Sequence, residues 1–268
     1  MFKKSIFVSN LAWQKKDLSY VINTLKKNKV NGIDFAPLQI TNSWSNIETK
    51  VKKHSSYLKR NKIKVNAIQG VFFKKKFHLF KQKKNLNTII KHLKIILRLC
   101  KILKCNKLII GSAEFRDKFD LDKKEADFIF INFLNQILPL FKMNKVYFCL
   151  ETIPKQYKER YLYSFDHSID LIKKINSKWI RINYDTSIFH YQKLDFLKFK
   201  KNINLIKNIQ INEKQFKFFL NPDKKNIQFC NKIKKMNKIK NISLEIISKK
   251  SNLKKFELSI ENIVKLLT

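Results

Sequence analysis

Along this chain, short apolar runs of β-rich composition alternate with segments whose apolar residues recur every three or four positions. The runs are SIFVS (5–9), NGIDFAP (31–37), IKVNAIQG (63–70), NKLIIGS (106–112), KVYFCLE (145–151), KWIRINYD (178–185), LIKNIQIN (205–212) and ISLEI (242–246). Between them, DLSYVINTLKKN and LNTIIKHLKIILRLCKILK show helical spacing, and NLKKFELSIENIVKLLT ends the sequence as a further helix. DHSIDLIKKIN places Asp166 as an N-cap. The runs start about 25–40 residues apart, the length of a βα unit. Eight such units without a linker or low-complexity break predict an α/β fold, one (β/α)8 TIM barrel over residues 1–268. An open doubly wound sheet would carry fewer strands and a Gly-rich first turn. Neither GxGxxG nor GxxxxGK[ST] occurs, so dinucleotide and P-loop readings fail.

A barrel gathers the C-terminal ends of its strands at one mouth. At those ends the sequence places Asn10 and Trp13, Asp34, Gln69, Glu114 and Arg116, Glu151, Asp185, Gln210 and Glu213, and Glu245. The run 146–150 is apolar throughout, as for a strand covered on both faces, yet it leads directly into Glu151. Three acids at equivalent strand ends (151, 185 and 245) repel one another unless a divalent cation lies between them or one holds a proton. Such a set suits proton transfer beside a carbonyl, with two glutamates as acid and base and a metal polarising the oxygens.

Composition changes this picture little. The apolar fraction of 44% excludes general disorder, and no run reaches the roughly 18 apolar residues of a membrane span. MFKKSIFVSNLAWQ has a basic start, but Ser9 and Asn10 break its apolar stretch and no small-residue cleavage site follows, so it reads as mature protein. The net charge of +38 rests on 53 lysines and only five arginines, spread over almost every segment, beside three glycines. Nucleic-acid surfaces cluster their basic residues and favour arginine, so this pattern reads as A/T-rich codon drift, with no specific nucleic-acid partner. Cysteines 100, 105, 149 and 230 form no CxxC pair, as expected of reduced thiols in a cytoplasmic protein, and Cys149 reads as a small core hydrophobe. Histidines 54, 78, 92 and 167 read as solvated helix residues, whereas His190, five residues after Asp185, is a candidate substrate contact. KKKFHLFKQKK (74–84) reads as a solvated loop or a phosphate-binding lid, and the aromatics of 129–141 as core.

At the strand ends the chain resembles the sugar phosphate isomerases/epimerases with a xylose-isomerase-like TIM barrel. The motifs are SNLAW (9–13), GIDFAPLQI (32–40), AIQGVFF (67–73), IIGSAEFRD (109–117), CLETIPKQY (149–157), INYDTSIF (182–189), IQINEKQF (209–216) and ISLEI (242–246), in order over nearly the full length. The resemblance implies Glu151, Asp185, Gln210 and Glu245 as metal ligands, with Glu151 and Glu245 doubling as the acid/base pair. It implies Trp13, Asp34, Gln69 and Arg116 as substrate-facing, to which position at the mouth adds His190 and Glu213. It implies a divalent metal (Mn²⁺ or Mg²⁺ foremost, Co²⁺ or Zn²⁺ as alternatives) and a ketose, sugar phosphate, inositol derivative or hydroxypyruvate as substrate. A homo-oligomer is left open. This chain departs from the pattern at Gln210, where the family has a histidine: an amide oxygen is a weaker donor, which weakens the site. Asp34 stands for a glutamate, and Ser187 for a glycine. A catalytically silent barrel that binds a sugar-like ligand or a partner is the alternative. A nuclease like the apurinic-site endonucleases would need a three-zinc site rich in histidine, which these strand ends do not supply.

Overall fold

A computed structural model describes residues 4–81, 86–192 and 195–268. Residues 1–3 of the basic start and 82–85 of the basic loop lie outside the described residues. Eight parallel strands close into a barrel in chain order: β1 (Ser5–Ser9), β2 (Gly32–Phe35), β3 (Lys64–Ile68), β4 (Lys107–Ile110), β5 (Tyr147–Glu151), β6 (Ile180–Asp185), β7 (Ile206–Ile211) and β8 (Asn241–Leu244). The seam is closed by β8 pairing with β1 from Ser5↔Asn241 to Val8↔Leu244. Around the barrel lie α1 (Leu18–Lys27), α2 (Ile47–Arg60), α3 (Leu86–Leu103), α4 (Lys123–Asn144), α5 (Phe165–Ile175), α6 (Phe196–Lys201), α7 (Lys224–Ile233) and α8 (Leu253–Leu267). Among the described residues no helix is long and apolar enough to cross a membrane.

Alternation along each strand sorts the side chains between two environments. Val8, Phe35, Ile110, Phe148, Leu150, Ile182, Ile211 and Leu244 point outward and join the helices in one large apolar core. A second cluster is confined to Ala67, Ile109 and Cys149, with Tyr147 against it, inside the barrel. Apart from Phe7 of β1, the other buried lumen side chains named here are polar: Asp34, Asn66, Lys107, Asn183, Asn208, Gln210 and Ser243. A barrel interior is ordinarily filled by layers of branched aliphatic side chains. Here it is filled by amides. Register shifts fall beside two of these positions, between Ile33 and Asp34 and between Ile182 and Asn183, where a bulge re-aims a side chain.

Four of the helix-to-strand connections repeat one device. At Lys29, Lys62, Lys104 and Lys145 the backbone is left-handed (φ 56°, 59°, 53° and 53°). Each is followed by a residue donating its N–H back into the helix: Val30 to Leu25 (2.9 Å), Ile63 to Leu58 (3.0 Å), Cys105 to Cys100 (3.1 Å) and Val146 to Phe141 (3.1 Å). This is the Schellman closure, with the following hydrophobe buried and leading into the next strand. Its left-handed residue is usually glycine, because a Cβ there costs about 1–2 kcal/mol. Replacing all four lysines by glycine is expected to stabilise the protein by about 2 kcal/mol in urea unfolding, since the sites are far apart and each gain is partly offset by unfolded-state entropy. No gain would mean that the surrounding contacts already relieve the strain.

Three details differ from the sequence reading. The N-cap of α5 is Ser164, and Asp166 stands in the first turn. His92 and His167 are buried, not solvated: His92 Nε2 lies 2.7 Å from the Val71 carbonyl oxygen and His167 Nε2 lies 2.6 Å from Asp127 Oδ1. His54 is half-buried against Phe35, and burial pulls its pKa down to about 4. Each is held by a partner that lies outside its own helix. The aromatics of 129–141 do enter the core, through Phe130, Phe133 and Phe141.

Candidate active site

Glu151 is the last residue of β5, and the alternation that turns Tyr147 and Cys149 inward turns it inward as well. Its carboxyl reaches over the end of β4, across Gly111. A Cβ at position 111 would stand 2.2 Å from Glu151 Oε2, so any larger residue there displaces the carboxyl. Glu245 follows β8 and is tied to β7 by its N–H, which donates to Ile211 O at 2.8 Å. The two glutamates share the wall of one cavity of about 300 Å³ with Gln69, Tyr157, Ser187 and Ile247. That volume is at the small end of ligand sites.

The electrostatics follow from crowding acids in a dry place. Burial, then the charge of Asp185, pushes the Glu151 carboxyl up to about 8, while Arg116 pulls the other way. Burial and the charges of Asp185 and Glu151 hold Glu245 well above the ordinary carboxylate range. Asp185 is raised too, by burial, against the pull of its own hydrogen bonds. Its oxygens accept from the Ser187 N–H (2.7 Å) and from Asn212 Nδ2 (2.8 and 2.9 Å).

Gln210 lies among amides. Its Oε1 accepts from Asn183 Nδ2 at 2.6 Å, and its Nε2 donates to Gln69 Oε1 at 2.8 Å and to Asp34 Oδ2 at 3.5 Å. Gln69 in turn donates to Ser9 Oγ (2.7 Å) and Glu245 Oε1 (3.3 Å). Asp34 sits below the cavity in the lumen, accepting from Asn66 Nδ2 at 2.6 Å, and burial raises its pKa.

Four other expected contacts are engaged elsewhere. Arg116 is completely buried behind the site: it pairs with Glu159 (2.8 Å) and donates to the carbonyls of Ile110 (3.1 Å) and Glu151 (2.7 Å). It therefore fixes the backbone of Glu151 and does not face the cavity. Trp13 packs edge-on against Phe256 of α8, at 5.4 Å between ring centroids. His190 Nε2 meets the Asn212 carbonyl at 3.2 Å, outside the 300 Å³ cavity. Glu213 accepts from the Asp223 N–H (3.0 Å) and Asn226 Nδ2 (2.9 Å), closing the loop after β7.

The sequence reading missed Asn183, Asn208, Asn212, Asn66, Lys107 and Glu159. Three of these six did carry a signal: Asn183 in INYD (182–185), and Asn208 and Asn212 in NIQIN (208–212), stand two apart from other polar residues, as on one face of a strand.

The residues as arranged do not fit the implied metal. The Gln210 oxygen is taken by Asn183, and both Asp185 oxygens are taken by Asn212 and Ser187. Among the described residues no three His, Cys, Asp or Glu side chains converge as a cation site.

A family model described as a xylose isomerase-like TIM barrel matches residues 22–263. Among curated proteins, none matches the chain. The solved structures it resembles include 3-keto-D-glucoside 4-epimerase from E. coli (TM-score 0.78, 10% identity, covering 98% of this chain and 100% of that one). They include D-psicose 3-epimerase with D-tagatose from Clostridium cellulolyticum H10 (TM-score 0.76, 10% identity, 98% of both chains). They also include the IOLI protein with a zinc atom (TM-score 0.69, 14% identity, 98% of this chain and 95% of that one). At these identities the likeness is one of fold.

Proposed function

From the premise that the chain belongs to the xylose isomerase-like TIM barrel family, we propose that it is a sugar isomerase or epimerase that moves a proton on the carbon beside a carbonyl. The observation that carries this reading is the pair of carboxyls with raised proton affinity, the half-buried Glu151 and the buried Glu245, on one cavity of about 300 Å³. Acid/base groups work best with a pKa near the operating pH, and carboxyls reach that range only when buried or crowded. An ionised carboxyl takes the α-proton, leaving an enediolate. The carboxyl on the other strand, still protonated, returns a proton: to the same carbon for epimerisation, to its neighbour for isomerisation. The roles exchange when the reaction runs backwards. Leu11, Ile109, Ile153 and Ile247 give the cavity an apolar side. The epimerases that share this fold support a carbohydrate as substrate.

The test is incubation with a panel of ketopentoses and ketohexoses, free and phosphorylated, in D2O. One deuterium should enter beside the carbonyl of at least one of them, with formation of its epimer or isomer. Binding without exchange would replace this reading by that of a silent sugar-binding barrel.

No step above passes through a metal. The family resemblance and the zinc-containing neighbour nonetheless motivate a direct measurement. Calorimetric titration of the EDTA-treated protein with Mn²⁺ is expected to show affinity at least about tenfold weaker than the same titration of Gln210→His, since an imidazole nitrogen is the better donor. Equal and tight binding by both would show that the carboxylates rearrange into a cage without position 210.

A further inference from the structure

Lys107 opens β4, with its side chain in the lumen and the residue only 4% exposed. Its ammonium donates to Asn66 Oδ1 of β3 and, across the barrel, to Asn208 Oδ1 of β7 at 3.0 Å. We propose that this buried lumen cation sets the direction of the amides between it and the mouth, and so positions the two carboxyls of the candidate active site.

An ammonium has donors and no acceptor, and an ionised carboxylate has acceptors and no donor. A side-chain amide has one of each end, and placed between the two it can face only one way. From Lys107 three paths run outward, and in each every donor points away from the lysine. Along the first, Asn66 turns its oxygen to Lys107 and gives its Nδ2 to Asp34 at 2.6 Å, with a cross-link to the Asn208 oxygen at 3.0 Å. Along the second, Asn208 turns its oxygen to Lys107 and gives Nδ2 to Asn183 Oδ1 at 2.9 Å; Asn183 then gives its own Nδ2 to Glu151 Oε2 at 3.3 Å. The third leaves from the same Asn183 Nδ2, which also donates to Gln210 Oε1 at 2.6 Å. Gln210 then donates to Gln69 at 2.8 Å, and Gln69 to Glu245 Oε1 at 3.3 Å.

Each path ends on a carboxyl. Reversing any one amide would set acceptor against acceptor and donor against donor at its contacts along the path, inside a buried network. The orientation is therefore cooperative and anchored at Lys107. One consequence reaches the mouth directly: the Gln210 oxygen is turned down toward Asn183, and both glutamates receive an N–H from the lumen side. Lys107 acts through other residues and touches no part of the cavity, so it is a positioning residue. The proposal takes from the preceding section only the naming of Glu151 and Glu245 as the reacting pair. The amide chain is tested without turnover.

The experiment is NMR of the intact protein with ¹⁵N in the Asn and Gln side chains. In the parent, the NH2 protons of Asn66, Asn208, Asn183, Gln210 and Gln69 are expected to exchange slowly with solvent. In Lys107→Met, the signals of Asn183, Gln210 and Gln69 should move by more than a linewidth or split into two forms, although none of the three touches position 107, while backbone signals outside the lumen stay in place. Asn208→Asp keeps a partner for Lys107 but removes the donor to Asn183. It should disturb Asn183, Gln210 and Gln69, and also Asn66, whose Nδ2 donates to Asn208 Oδ1 at 3.0 Å. Unmoved Asn183, Gln210 and Gln69 signals in whichever variant folds would overturn the proposal, because each amide would then be held by its own neighbours. Rapid exchange of these protons in the parent would overturn it as well. Intact chain signals in a protein that exchanges no sugar deuterium would leave the amide chain standing and remove the acid/base reading alone.

Discussion

Glu151→Gln is expected to lower turnover by about a thousandfold and, at pH 8, to make the protein more stable. The loss of turnover follows from removing the proton-transferring group while keeping its shape. The gain in stability follows from the sign of its pKa shift. The carboxyl is held at about 8 in the fold, against an ordinary value of 4.5. Below the ordinary value both folded and unfolded chains carry the proton, and burial of the group costs little. Between the two values the folded state binds the proton and the unfolded chain releases it, so stability falls as pH rises and the full penalty is present above pH 8. Glutamine has no such penalty. Parent and variant should therefore unfold at similar urea concentrations near pH 4.5 and diverge toward pH 8 by about 2 kcal/mol, a figure below the full linkage value because the group borders a cavity. Glu245→Gln should behave alike in turnover. Parallel pH profiles of stability would show that Glu151 ionises normally in the fold. Unchanged turnover in both variants would remove the acid/base assignment.

That trade of stability for proton affinity explains what in the sequence was legible and what was not. The outward face of each strand is a hydrophobic statement, and the eight apolar runs mark all eight strands to within a few residues. The run 146–150 looked covered on both faces. In the structure, Phe148 and Leu150 meet the helices, while Cys149 joins a lumen cluster of only three buried residues. The acid that follows continues the inward set, which is why an apolar strand ends in a charge. Glu151, Glu245 and Gln69 do line one cavity, as their place at strand ends implies. Asp185 and Gln210 stand beside them, but their atoms are spent on Asn212, Ser187, Asn183 and Gln69. Pairings of that kind join residues far apart in sequence, and spacing alone does not reveal them. Position 111 was not singled out from the sequence, and its role shows only in the structure. The chain has three glycines in all and places lysine even in left-handed helix ends, so a retained glycine marks a real steric need. At position 111 that need is room for a carboxyl.

Arg116 shows the limit of reading a mouth residue by type, and its replacement carries the largest expected effect on stability. An arginine one loop beyond β4 looks like a substrate anchor, yet its side chain and that of Glu159 are both 0% exposed. Glu159 also accepts the N–H groups of Tyr161 (3.0 Å) and Leu162 (2.9 Å), so its carboxylate holds the loop after β5 while Arg116 holds the end of that strand. Arg116→Ala would leave a buried carboxylate without its cation and two carbonyls without donors. Breaking one side of such a pair costs about 3–5 kcal/mol, whereas replacing both charges by neutral groups of similar volume is often close to neutral. The double variant Arg116→Met with Glu159→Gln should therefore recover most of the loss in urea unfolding, the glutamine oxygen still accepting both N–H groups. Turnover should not recover with it, because the Glu151 carbonyl has lost the donor at 2.7 Å that fixes the strand end. Stability restored and turnover still low would separate the two duties of Arg116. A cost below about 1 kcal/mol for Arg116→Ala would place the pair among weak, solvated ones and end its role as the clamp behind Glu151.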